Sequence, residues 1–201
     1  MTNLRMKNIV FDLAGVVFAR NAERCPQELM EYFSFINSGE PLPEFWNDYD
    51  RGTRLIDDVA EHLAVFCNSD TATAKRNMLQ AMNYQEEILP TKQLIADLKM
   101  AGYKLYVLSN MSLEYINFLR GKEVYAHFDG EVISCETHTI KPECEIYETL
   151  LSRYDLEPSE TMFIDDRQEN VEQAAMLGIV PFHFERLNPA RSCDRLREIL
   201  L

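Results

Sequence analysis

Long apolar runs, cysteine pairs, clustered histidines and positive charge are all scarce in this chain of 201 residues, and each scarcity removes a class of protein. No stretch approaches the run of about 20 apolar residues that a membrane span needs. Charged Lys7 and Asp12 interrupt the apolar start, so it lacks the pattern of a signal peptide. A cytoplasmic protein with no membrane partner is the expectation. The five cysteines, Cys25, Cys67, Cys135, Cys144 and Cys193, are odd in number and form no Cys-x-x-Cys pair, which reads as reduced thiols. The four histidines, His62, His127, His138 and His183, lie scattered without zinc-ligand spacing. Lys and Arg number 20 against 33 Asp and Glu, a net charge of −13 that works against binding a nucleic-acid backbone. One small phosphate remains compatible, because a lysine and a divalent cation can reverse the field inside a single cleft.

What is present is the composition of an ordinary globular protein, 46% hydrophobic and 26% charged, long enough for one core domain that carries a smaller insert. Residues 8 to 18 form a nearly continuous apolar run rich in β-branched residues, as in a strand buried on both faces. Asp12 interrupts it. From about residue 91 the pattern alternates: a helix over Thr91–Ala101, a strand over Tyr103–Leu108, a helix from Ser112, a strand near Gly130–Ser134 and a helix opened by Pro142. A strand over Thr161–Ile164, a helix over Glu169–Leu177 and a strand over Ile179–Phe184 complete it. Repeated β-α units predict an α/β doubly wound parallel sheet. The stretch between breaks the rhythm with helices near Pro26–Phe35, Ile56–Phe66 and Thr71–Met82, and reads as a lid. The expected organisation is a core of residues 1–20 and 90–201 with a helical cap of residues 21–89.

Four short segments carry the chemistry: Phe11-Asp12-Leu13-Ala14-Gly15, Leu108-Ser109-Asn110, Lys141-Pro142 and Phe163-Ile164-Asp165-Asp166. Ligands of open parallel sheets bind beyond the carboxyl ends of the strands, where Asp12, Ser109 and the Asp165-Asp166 pair are predicted to converge. An aspartate can attack phosphorus and form an aspartyl-phosphate. Charge neutralisation must accompany that attack, from Lys141 and from Mg²⁺ held by the oxygen ligands of Asp12 and Asp165. Ser109 and the amides after it can bind the remaining phosphate oxygens. Taken singly, Ser109-Asn110 reads as a turn or cap and Lys141-Pro142 as a solvated helix start; only the joint pattern points to a site. In the acidic segment Trp46-Asn-Asp-Tyr-Asp-Arg-Gly52, Trp46, Tyr49 and Arg51 are placed either against a substrate or in the packing of the lid. His127 and His183, beside phenylalanines, read as packing or surface residues.

These segments resemble the haloacid dehalogenase-like hydrolase superfamily over nearly the whole chain. The four motifs occur in family order, 97, 32 and 24 residues apart from Asp12 to Ser109, Lys141 and Asp165. Leu-Ser-Asn, Lys-Pro-Glu before Ile146-Tyr147, and Asp-Asp-x-x-x-Asn ending at Asn170 most resemble its glucose-1-phosphate phosphatase and epoxide-hydrolase N-terminal-domain branch. The resemblance implies Asp12 as nucleophile, Mg²⁺ held by Asp12, the Ala14 carbonyl and Asp165 with Asp166 as a further metal-side acid, and phosphate contacts from Ser109, Asn110 and Lys141. It also implies a small phosphorylated metabolite as substrate.

Ala14 departs from the family, whose phosphatases commonly place an aspartate there to protonate the leaving oxygen. General acid-base help is worth about 10² to 10⁴ in rate, so its loss favours an activated leaving group such as an anomeric sugar oxygen. Two other functions compete. A 2-haloacid dehalogenase needs neither that acid nor a metal, but its branch resembles this chain less, because Asp165-Asp166 is kept. A catalytically weak phosphate-binding regulator would have no need of Asp12, Lys141 and the acid pair together. Metal-dependent turnover distinguishes the three.

Overall fold

The computed structural model describes residues 6–201. Residues 1–5, which the expected core range includes, lie outside the described residues. Five strands form a parallel sheet: β1 (Asn8–Phe11), β4 (Lys104–Ser109), β5 (Gly130–Ile133), β6 (Thr161–Asp165) and β7 (Val180–His183), in the order β5-β4-β1-β6-β7. Side chains alternate along each strand. Ile9 and Phe11 of β1 therefore face one layer, with Leu94, Ile95 and Leu98 of α5 (Leu89–Met100) and Cys193 and Leu196 of α10 (Pro189–Leu200). Val10 faces the other, with Ile146 and Leu150 of α8 (Cys144–Arg153) and Val171 and Ala174 of α9 (Gln168–Met176). The α/β doubly wound architecture is the one expected.

From β1 the chain runs outward through β4 and β5, then crosses to the opposite side for β6 and β7. The direction of winding changes beside β1. Phe11 pairs with Val107 on one side and Ile164 on the other, so the carboxyl ends of β1, β4 and β6 open on a common crevice.

The apolar run of residues 8 to 18 is not one strand. β1 ends at Phe11, and the Leu13 carbonyl accepts N–H groups from Val17 at 2.9 Å and Phe18 at 2.8 Å, closing a turn. Leu13, Val16, Val17 and Phe18 are buried nonetheless, so the hydrophobic run encodes a turn pressed into the core. At its centre Gly15 has φ +86°, and a Cβ there would lie 2.7 Å from Asp166 Oδ2. Only glycine permits both the backbone and that approach.

After the turn, β2 (Phe18–Arg20) pairs antiparallel with β3 (Gln85–Glu87), through which the chain leaves and re-enters the helical excursion. Three-residue strands carry too little periodicity to be seen in sequence. The excursion holds α1 (Gln27–Tyr32), α2 (Glu44–Asp50), α3 (Ile56–Phe66) and α4 (Thr71–Met82). Leu29, Phe33, Trp46, Val59, Leu63 and Met78 give it a hydrophobic cluster of its own. The remaining helices are α6 (Leu113–Leu119) and the short α7 (Ser134–Thr137). The helix expected to open at Pro142 starts at Cys144, after a turn in which the Glu143 N–H bonds the Ile140 carbonyl at 2.8 Å. Helices α2 and α10 were not anticipated. Among the described residues no helix is long and apolar enough to cross a membrane.

Candidate active site

Asp12 is the first residue beyond β1, kept in line by its N–H bonding the Ile164 carbonyl at 2.9 Å. Asp165 ends β6. Between them lies the Lys141 ammonium, 2.7 Å from Asp12 Oδ1, 2.6 Å from Asp165 Oδ2 and 2.9 Å from the Leu108 carbonyl. All three donors of the ammonium are engaged, and the side chain is only 2% exposed. Burial opposes its charge, but Asp12 and Asp165 outweigh that and hold the Lys141 pKa above its ordinary value. Asp12 is itself pushed up, by burial and by the nearby Asp165 carboxylate, with Lys141 offsetting part of the rise.

Two asparagines orient this pair. Asn110 donates Nδ2–H to the Lys141 carbonyl at 2.9 Å and accepts the Lys141 N–H on Oδ1 at 2.7 Å. Its side chain fastens the backbone from which Lys141 extends. Asn170 donates to both Asp165 oxygens at 3.0 Å, and the Arg167 N–H reaches Asp165 Oδ1 at 2.8 Å. Tyr147 donates to the Asn170 carbonyl at 3.0 Å, tying α8 to α9.

Asp12, Asp165 and Asp166 offer carboxylate oxygens that lie within 4.8 Å of one another. Lys141 bonds two of these acids, and the third, Asp166, has the Arg186 guanidinium at 3.9 Å. Burial, then Asp12 and Asp165, push the Asp166 carboxyl up to about 7. A donor set made only of carboxylate oxygens, with more negative charge than Lys141 balances, fits a hard divalent cation such as Mg²⁺. Ala14, two residues after Asp12 in the turn, is exposed and lines the same cavity. Ser109 Oγ is fully buried with no hydrogen-bond partner. An unpartnered hydroxyl in that position is poised to serve an anion.

The cavity above this floor has a volume of about 560 Å³, room for a substrate with an organic moiety. Its walls mix core residues with Trp46, Asn47 and Asp50 from α2 and Arg20 from β2. Trp46 thus serves both readings given above, since it lines the cavity and also packs in the excursion's own cluster. Arg51 does not line the cavity. Its guanidinium is bound bidentately by Glu143, at 2.8 Å and 2.6 Å, and also donates to the His138 carbonyl. It is a clamp between α2 and the core.

Asp50 was missed. It ends α2 one helical turn after Trp46, and an i, i+4 pair projects from one face, which is the signal that was available in the sequence. Burial, opposed by Arg167 and reinforced by Asp12, pushes its carboxyl up to about 7.

Fold and site together define an α/β protein whose chemistry rests on carboxylates and one buried lysine at the switch point of a parallel sheet. The haloacid dehalogenase-like hydrolase family matches residues 6–178, and the chain belongs to that family. It is 28% identical to a sesquiterpene phosphatase of Aspergillus oryzae, over 96% of each protein. It is 22% identical to a D-ribitol-5-phosphate phosphatase of Bacteroides thetaiotaomicron, over 96% of this chain and 97% of that protein. A haloacid dehalogenase-family enzyme from the same bacterium, crystallised with magnesium and inorganic phosphate, superimposes with a TM-score of 0.71 at 22% identity, covering 90% of this chain and 95% of the other.

Proposed function

We propose that the protein is a Mg²⁺-dependent phosphatase that hydrolyses a small phosphorylated metabolite through an aspartyl-phosphate on Asp12, with residues 21–89 acting as the cap over residues 6–20 and 90–201. The observation that carries this reading is Lys141, buried between Asp12 and Asp165 with the Asp166 carboxylate beside them. A buried nucleophilic carboxylate approaching an anionic phosphoryl group needs such a cation beside it. The kinship with two phosphatases supports the same reaction class.

Asp12, the Ala14 carbonyl, Asp165 and Asp166 would hold the metal. When bound, Mg²⁺ supplies positive charge that offsets the repulsion between Asp12 and phosphate. Lys141 holds Asp12 in place and neutralises charge beside it, while the Ser109 hydroxyl and the amides that follow donate hydrogen bonds to the phosphate oxygens. Asn110 and Asn170 keep Lys141 and Asp165 in register. Trp46 meets the organic part of the substrate, and cap and core together exclude water from the reacting atoms.

The acid pair Asp165-Asp166 is what weighs against the dehalogenase reading, which has no use for a metal seat. The test is phosphate release from a panel of sugar 1-phosphates, sugar 6-phosphates, terpenyl phosphates and acyl phosphates, with Mg²⁺ and with chelator, in wild type and in Asp12→Asn. Release that disappears in both the chelated and the Asp12→Asn samples is the expected outcome. Release that survives either one contradicts the mechanism, and halide release from 2-haloacids without metal would replace it with the dehalogenase.

A further inference from the structure

With Ala14 in place, the turn after β1 offers the leaving group no acid. The cavity does contain one from the opposite wall. Asp50 lies at the last position of α2 and lines the same cavity as Asp12, Ala14 and Lys141. Its backbone is held to the core. The Ser134 hydroxyl donates to the Asp50 carbonyl at 2.5 Å, and the neighbouring Arg51 is clamped by Glu143. Gly52 follows with φ +73°, its Cα so close to Cys135 that a Cβ would lie 2.5 Å from the Cys135 carbonyl oxygen. Helix α2 thus ends in three successive residues, Asp50 to Gly52, each in contact with the core, and what this stretch delivers to the cavity is a carboxyl group.

We propose that Asp50 is the proton donor and acceptor that the Asp12 turn lacks, brought to the leaving group from the cap. This rests on the phosphatase reading. In the first step an Asp12 oxygen forms a bond to phosphorus as the bond to the ester oxygen breaks. That oxygen takes the proton of Asp50 and departs as a neutral alcohol. In the second step the Asp50 carboxylate accepts a proton from water as the water oxygen bonds to phosphorus and the bond to Asp12 breaks. Inorganic phosphate leaves, Asp12 is a free carboxylate and Asp50 is protonated again.

Burial is the main reason Asp50 retains a proton near neutrality, at about 7. The charged groups facing it are Arg167, which favours ionisation, Asp12, which opposes it, and Lys141, which again favours it. Tyr115 and Cys135 also lie within reach of its charge. Asp166 has a similarly raised pKa, but it belongs to the acid trio of the metal seat and would be held ionised there. The assignment has a consequence for substrate choice. Ala14 alone would confine the protein to activated leaving groups, whereas a donor at Asp50 admits phosphates of ordinary alcohols.

Asp50→Asn separates these cases when compared with wild type on two esters, p-nitrophenyl phosphate, whose phenolate leaves without a proton, and a primary alkyl phosphate. The expected result is a fall in kcat/KM, which reports the first step, of about 10² to 10⁴ for the alkyl ester and a much smaller fall for p-nitrophenyl phosphate, while kcat falls on both esters because the second step loses its base. The retained p-nitrophenyl kcat/KM also shows that the variant is folded. Equal losses of kcat/KM on both esters, or none on either, would overturn the assignment while leaving the phosphatase reading intact. Wild type that turns over neither ester overturns both. A second measurement needs no variant. In wild type the ratio of alkyl to p-nitrophenyl kcat/KM should decline as pH rises from about 6 to about 9, as the donor loses its proton. A ratio that stays flat across this range counts against Asp50.

Discussion

Lys141 concentrates the electrostatics of the centre in one side chain. Its ammonium has two carboxylates and one carbonyl as partners and no contact with bulk water. Lys141→Met keeps the length of the chain and removes the charge, which leaves Asp12 and Asp165 facing each other unscreened. Breaking a buried charge pair on one side costs about 3–5 kcal/mol. We expect a loss of stability of that order in urea unfolding without metal, together with loss of phosphate release. Unchanged stability would mean that the acids do not depend on Lys141 for charge balance. At this scale the sequence was informative for residues defined by type and spacing. Asp12, Ser109, Lys141, Asp165 and Asp166 meet at one place because each follows a strand or precedes a helix of a fold whose switch point is known from its alternation. Residues whose use depends on a side chain's direction were not legible. Arg51 and Asp50 are adjacent on α2, yet one turns to Glu143 and the other to the cavity. The resemblance implies a phosphate contact from Asn110, but not the hydrogen bonds its side chain makes to the backbone of Lys141.

Elements that repeat were read correctly for the same reason: α3 and α4 are long enough for a 3.6-residue period, and β4 and β6 are apolar runs bounded by turn residues. The short α2 and the three-residue β2 and β3 were not, since their formation depends on contacts distant in sequence. The junction of α2 with α7 is such a contact, and it can be tested at Gly52. Gly52→Ala places a side chain at φ +73° and 2.5 Å from the Cys135 carbonyl oxygen, where backbone cannot yield as a flexible side chain would. Strain of this kind costs about 1–3 kcal/mol. The expected outcome is a lower Tm together with weaker catalysis, because Asp50 and Arg51 lie on the displaced segment. A Tm equal to that of wild type would show that α2 is not held to α7 by this close approach.

For the whole molecule, the acid excess at the centre links stability to pH and to metal. Asp50 and Asp166 keep protons in the folded protein up to about 7, whereas the ordinary value for such a carboxyl is 3.8. Between those limits the folded state binds more protons than the unfolded chain, so their contribution to stability is present at low pH and is lost as pH rises towards 7. Glu143 and Asp129 act in the opposite sense. Hydrogen bonding from Arg51 lowers the Glu143 carboxyl, and Lys99 with the Leu105 N–H lowers Asp129 despite some burial, so the stability they confer is lost as pH falls through their depressed values. The metal-free protein should therefore be most stable on the acid side of neutrality. Mg²⁺ changes the slope, because a cation seated on Asp12, Asp165 and Asp166 favours their ionised forms and competes with the proton on Asp166. At about 100 times its dissociation constant a ligand of the folded state adds about 2.7 kcal/mol, and proton competition makes that concentration harder to reach in acid. Urea unfolding at about pH 5 and about pH 8, each with Mg²⁺ and with chelator, measures this linkage. Greater stabilisation by Mg²⁺ at the higher pH is the expected result. An equal effect at both would place the cation somewhere other than the acid trio, since only there does binding displace a proton that folding has retained.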